Sequence, residues 1–72
     1  MEWEFGDKFR IRPEALDLFH ENVNSDTIYT LEYLGDPDFY HFYIKVDDFW
    51  MLQCIKRDEI NEQVERITIE LY

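Results

Sequence analysis

Only one cysteine, Cys54, stands in this chain of 72 residues, so no disulfide can close within it. A secreted domain this small ordinarily carries several, which makes a reducing cytoplasm the expected compartment. Basic residues are almost as scarce. Seven Lys and Arg stand against seventeen Asp and Glu, a formal net charge of −10. That balance argues against direct binding of nucleic acid, which needs many phosphate contacts, and against an anionic membrane surface. The two glycines, Gly6 and Gly35, leave no phosphate-cradling loop. No apolar run approaches the ~20 residues of a membrane helix. The longest, Phe49-Trp50-Met51-Leu52, is strand-sized. The start, Met1-Glu2-Trp3-Glu4-Phe5, is acidic and alternating, unlike a signal peptide.

What is abundant is aromatic. Acidic chains poor in aromatics are usually disordered. Here six Phe, five Tyr and two Trp fall in periodic runs. Each can bury roughly 150–250 Å², so the chain can fold and display its acid on a firm surface. Residues 1–72 read as a single domain near the lower size limit for a self-sufficient core, a limit that a homodimer would relieve.

Alternation organises the chain. Trp3, Phe5, Phe9 and Ile11 favour one face of a first extended segment bent at Gly6-Asp7, with Lys8, Arg10 and Arg12 on the other. Pro13 suits the first position of a short helix carrying Ala15, Leu16 and Phe19 at helical spacing. Asn22 to Asp26 reads as a loop. Thr27 to Leu34 reads as a strand ending at the turn Gly35-Asp36-Pro37-Asp38. Phe39 to Val46 and Phe49 to Lys56 should pair antiparallel across Asp47-Asp48, since parallel pairing needs a far longer crossover. Arg57 to Glu62 reads as a turn or one helical turn, and Val64 to Tyr72 as a last strand with Ile67, Ile69 and Leu71 on one face. Tyr40, Phe42, Ile44, Val46, Leu52, Ile67 and Ile69 are the expected core. The expected fold is mainly β: five antiparallel strands and one short helix after the first strand.

Three segments carry a resemblance. Gly6-Asp7-Lys8-Phe9-Arg10-Ile11 resembles the opening strand of small SH3-like barrels, Tyr29-Thr30-Leu31-Glu32-Tyr33 the second, and Phe49 to Ile55 with Asp58-Glu59-Ile60 the late strand and the turn before the closing one. The resemblance implies a five-stranded antiparallel SH3-like barrel or curled sheet. Many such barrels bind RNA, DNA or proline-rich peptides. This chain departs from them in its charge and in a helix after the first strand, so nucleic-acid binding is not carried over. In style, short acidic chains of this kind also resemble the host-takeover and anti-defence proteins of bacteriophages.

Catalysis finds little support. Cys54 sits in an apolar strand, where a thiol is normally an inert core residue, and nothing in the sequence fixes it against His41. Two histidines and a cysteine have no zinc spacing, and Asp36-Pro37-Asp38 lacks the EF-hand pattern. No catalytic residue, cofactor or metal ligand is expected. The notable feature is where the acid lies. From Pro13 to Ile44 there is no Lys or Arg, while Glu14, Asp17, Glu21, Asp26, Glu32, Asp36 and Asp38 all fall there. A meander would gather Asp36 and Asp38 with Asp58, Glu59 and Glu62 at one end of the sheet, and Asp26 with Asp47 and Asp48 at the other. Alternate strand residues stand roughly 6.6 Å apart, so such a surface can present charge as a phosphate backbone does. Acids at turns also keep small β proteins soluble. If the surface is functional, the candidate protein-binding residues are Asp36, Asp38, Phe39, Tyr43, Asp47, Asp48, Asp58 and Glu59. Their partner would be the basic surface of another protein, itself a nucleic-acid binder, which the chain would block by imitating nucleic-acid charge. The alternative is an SH3-like peptide-interaction or assembly module with no inhibitory role.

Overall fold

The computed structural model describes residues 3–32 and 35–68. Expectations that rest on Tyr33, Leu34, Ile69, Leu71 or Tyr72 lie outside that range. Among the described residues, five strands form two antiparallel sheets. The first orders β2 (Tyr29–Thr30), β1 (Lys8–Ile11) and β5 (Val64–Ile67), with β1 central. The second is the hairpin of β3 (Phe39–Val46) and β4 (Phe49–Lys56). The sheets meet where the Glu32 N–H donates to the His41 carbonyl at 2.9 Å. Among the described residues the strands form two sheets and do not close into the expected barrel.

The hairpin follows the expected boundaries, Phe39 opposite Lys56 through Val46 opposite Phe49. Asp47-Asp48 closes it without glycine because Asp47 adopts φ 55°, a left-handed conformation that Asp tolerates better than most residues. Since the His41 carbonyl points away from β4 toward Glu32, ladder alternation makes His41–Cys54, Tyr43–Leu52 and Lys45–Trp50 the non-hydrogen-bonded pairs. Side chains in such pairs stand closest together.

The core lies between the two sheets. Phe9, Phe42, Ile11, Leu31, Ile55 and Val64 are its fully buried members. Phe42 is the hub: its ring meets Phe9 at 5.2 Å, Tyr29 at 5.2 Å and Phe19 at 5.8 Å. Trp3 closes one end, edge-on to Phe9, with its Nε1–H donating to Asn61 Oδ1 at 3.2 Å. Arg66 stacks on the Trp3 ring at 4.3 Å and pairs with Asp7 at 3.0 Å.

Several expectations are corrected. The segment after β1 is a 3-10 helix, Pro13–Leu18, whereas the α-helical turn is α1 (Ile60–Gln63), just before β5. Pro13 opens so short a segment that i→i+3 bonds close it, Ala15 N–H to the Arg12 carbonyl and Phe19 N–H to that of Leu16. It still turns Ala15, Leu16 and Phe19 toward the core. The second strand, β2, starts at Tyr29 rather than Thr27, because Asn24 Oδ1 accepts from the Asp26 and Thr27 backbones and the Thr27 hydroxyl and holds 24–27 in a loop; it ends at Thr30. Phe5 is exposed rather than core-facing. It occupies the corner of a tight turn, with Asp7 N–H bonded to the Glu4 carbonyl and Gly6 at φ +89°.

Leu52 is exposed, not buried, because residues opposite each other share a face and its partner Tyr43 points out. Ile67 is half-buried rather than core: it stands opposite Lys8, on the outer face of β1, and Val64 takes the inner position. Cys54 is exposed on the outer face of the hairpin rather than inert in the core. No described helix is long and apolar enough to cross a membrane.

Candidate protein-binding surface on the β3–β4 hairpin

The outer face of the hairpin carries Phe39, His41, Tyr43 and Lys45 from β3, and Trp50, Leu52, Cys54 and Lys56 from β4. Inward alternation of Tyr40, Phe42, Ile44 and Val46 forces these residues outward. Tyr43 is 45% exposed, Leu52 43% and Trp50 65%. As cross-strand and diagonal neighbours they form one apolar cluster. Large aromatics gathered on an exposed face mark an interaction surface far more than scattered apolar residues do. Lys45 lays its ammonium 5.3 Å from the Trp50 ring centroid. Glu32, Tyr43 and Trp50 together line a shallow hollow of about 370 Å³.

At one end of the hairpin the turn around Asp36 meets the turn around Asp58. Arg57 ties them, its backbone N–H donating to the Asp38 carbonyl at 3.1 Å and its Nε–H to the Asp36 carbonyl at 2.7 Å. The same guanidinium stacks on Tyr40 at 4.4 Å. Pro37, Asp38, Phe39, Lys56 and Asp58 surround the junction, so acid and base are interleaved there. Asp36 is half-buried and engaged within the fold. Its Oδ1 accepts from the Asp38 N–H at 2.8 Å and the Phe39 N–H at 3.3 Å, and its Oδ2 lies 3.0 Å from His41 Nε2. These donors, Asp38 first and then His41, hold the Asp36 carboxyl below its ordinary value.

The other candidates distribute as follows. Asp38 and Asp58 are exposed beside the Arg57 junction, and Glu59 is half-buried, accepting from Gln63 Nε2 at 3.0 Å. Phe39 is half-buried at the same end. Asp47 and Asp48 project from the opposite turn, while Tyr43 stands midway along the outer face. Asp26 lines a separate hollow with Arg10, Arg12 and Glu65. Trp50, Leu52 and Glu32 were not among the sequence candidates. The hairpin register was enough to find the first two, because it sets Leu52 opposite Tyr43 and Trp50 opposite Lys45.

His41 and Cys54 do stand opposite each other. Yet partial burial, and secondarily the Asp36 charge, push the Cys54 thiol above its ordinary value. A nucleophilic cysteine needs the reverse, a positive setting that favours thiolate. Among the described residues no group of three or more His, Cys, Asp or Glu is placed to hold a metal ion. Comparison with family models, with curated proteins and with solved structures found no match to this chain.

Proposed function

We propose that this is a non-enzymatic cytoplasmic binding protein whose acidic surface draws in a basic partner protein and whose hairpin face then anchors it. The observation that carries this reading is the Tyr43–Leu52–Trp50 cluster, exposed on a molecule of net charge −10. Charge sets the rate and the sign of encounter, while a few aromatic anchors hold the complex once formed. A partner that normally grips phosphate with Lys and Arg is the natural fit, so the chain would act as an inhibitor by occupying that partner in place of nucleic acid. Small acidic phage proteins that disable host or defence functions work in this style, and a phage origin agrees with it.

Affinity capture from a host lysate tests the idea, using the wild type and the Tyr43→Ala/Leu52→Ala double variant at low and high salt. Basic nucleic-acid-handling proteins should be retained at low salt, released by salt or competing DNA, and lost with the variant. Capture indifferent to salt, DNA and the variant would defeat the proposal.

A second reading has its own support. The order β5–β1–β2 beside a β3–β4 hairpin, with a helical turn leading into β5, agrees with an opened SH3-like arrangement. A peptide-recruitment or assembly module would bind through the same aromatic face with weak dependence on salt.

A further inference from the structure

We infer that the hollow between Glu32, Tyr43 and Trp50 is a seat for a single cationic side chain, the arginine or lysine by which a basic partner protein is anchored. The inference rests on the proposed basic partner and deepens it, from a diffuse acidic surface to a specific subsite. Its described lining suits a cation: two exposed aromatic side chains, whose ring faces attract positive charge, and one exposed carboxylate. The chain itself supplies a precedent, because Lys45 already sets its ammonium against Trp50 at 5.3 Å. Guanidinium stacking also recurs within the fold, Arg57 on Tyr40 at 4.4 Å and Arg66 on Trp3 at 4.3 Å. Those two arginines are committed to packing, whereas the Trp50 ring is 65% exposed and can accept a further cation. Lys45 and Lys56 stand at the two ends of the outer face, and the Asp36 carboxylate reaches it only at His41. Glu32 is the acid that lines the hollow with the two rings and can direct a cation onto them.

Backbone pairing brings the three residues together. Tyr43 and Trp50 lie on adjacent strands, with Trp50 opposite Lys45, two residues from Tyr43. Glu32 is fixed beside β3 by its own N–H, which donates to the His41 carbonyl. A planar guanidinium can stack on an indole while its edge bonds a carboxylate, and an ammonium can do the first through charge alone. Lys45 must share or yield the ring when a partner's cation arrives. It therefore acts as a built-in competitor, and its removal should tighten binding.

The test uses hexa-arginine and hexa-lysine as probes, with affinity read by calorimetry and the site read by the Trp50 indole N–H signal in NMR. Trp50→Ala and Glu32→Gln should each weaken binding by about fivefold or more. Glu14→Gln, an exposed acid on the 3-10 segment with the same change of charge, should move it by less than about twofold. Lys45→Gln should tighten binding more than Lys56→Gln, which removes an equal charge from the far end of the face. The Phe42 amide signal confirms that each variant remains folded. The tighter of the two peptides assigns guanidinium or ammonium as the preferred head group, and either order supports the seat. If Glu32→Gln matches Glu14→Gln and the Trp50 signal stays still while both peptides bind in a salt-dependent way, the seat is refuted and the acidic-surface reading survives. If neither peptide binds at low salt, both readings fall together.

Discussion

Asp36 shows how much one side chain can organise. Its carboxylate caps two backbone N–H groups and meets the His41 ring, while its carbonyl accepts from Arg57. Because the Asp38, His41 and Phe39 donors lower the folded-state value of the carboxyl, the stabilisation is present above its ordinary value of 3.8 and is lost as pH falls through the lower folded value. Asp36→Asn should therefore be less stable than wild type near neutrality, and the gap should close at the acid end of a urea-unfolding series. A constant gap across that series would show that the charge on Asp36 is irrelevant. Cys54 makes the opposite point. It is exposed, yet its raised value reduces further the small thiolate fraction present at neutral pH. Iodoacetamide should label the native protein more slowly than the urea-unfolded chain at neutral pH, with the difference narrowing as pH rises. Phe42, fully buried among Phe9, Tyr29 and Phe19, has no substitute. Phe42→Ala should cost about 3–5 kcal/mol, comparable with the whole stability of so small a domain, and a loss of the cooperative thermal transition is the expected outcome.

Among the elements, the hairpin depends on its turn. Asp47 at φ 55° tolerates the left-handed region, whereas a β-branched residue does not. Asp47→Val should cost about 1–2 kcal/mol, read from the urea midpoint. Gly6 at φ +89° is the corresponding hinge before β1, and open space surrounds it. Gly6→Ala should thus cost about 1 kcal/mol from backbone conformation alone. The hairpin was legible in the sequence because alternation, length and a two-residue gap all point to one register. Its faces were legible too, since the positions opposite Tyr40, Phe42 and Ile44 are Ile55, Gln53 and Met51, which leaves Leu52 outside. An expectation of Leu52 in the core followed hydrophobicity and overlooked pairing. β2 and the 3-10 segment were less legible. The loop expected over Asn22 to Asp26 is present, and Asn24, as hydrogen-bond acceptor, extends it to Thr27 against the β-branched composition that favours a strand.

On the scale of the whole molecule, every described carboxylate but Glu65 lies outside the strands, in turns, loops and helical segments, while the strongest apolar cluster lies mid-strand and meets acid at Glu32. Part of that cluster came from β4, whose outward residues are distinguished only by the register. Charge reversal at Asp38, Asp58 and Asp48, all exposed, should slow association with a basic partner by roughly tenfold or more while leaving the urea midpoint nearly unchanged. Added salt should reproduce the slowing in wild type by screening. Leu52→Ala should act on dissociation instead, because an apolar anchor contributes after contact. Stopped-flow association and dissociation rates across a salt series separate the two effects. An unchanged association rate for the charge-reversed protein would reduce the acid to a solubilising role.

Gln53 has a consequence beyond the folded monomer. Its Oε1 accepts the His20 N–H at 3.1 Å, and its amide donates to the Leu52 carbonyl at 2.9 Å. In the hairpin register that carbonyl points away from β3, toward the margin of β4 that no described strand pairs. An eight-residue strand bearing Trp50 and Leu52 would otherwise offer a free template on which a neighbouring copy could stack. By turning its own amide onto that margin, the chain withholds a rung of the ladder from fibril growth. A hairpin so rich in aromatic residues is thereby less open to self-association along this edge.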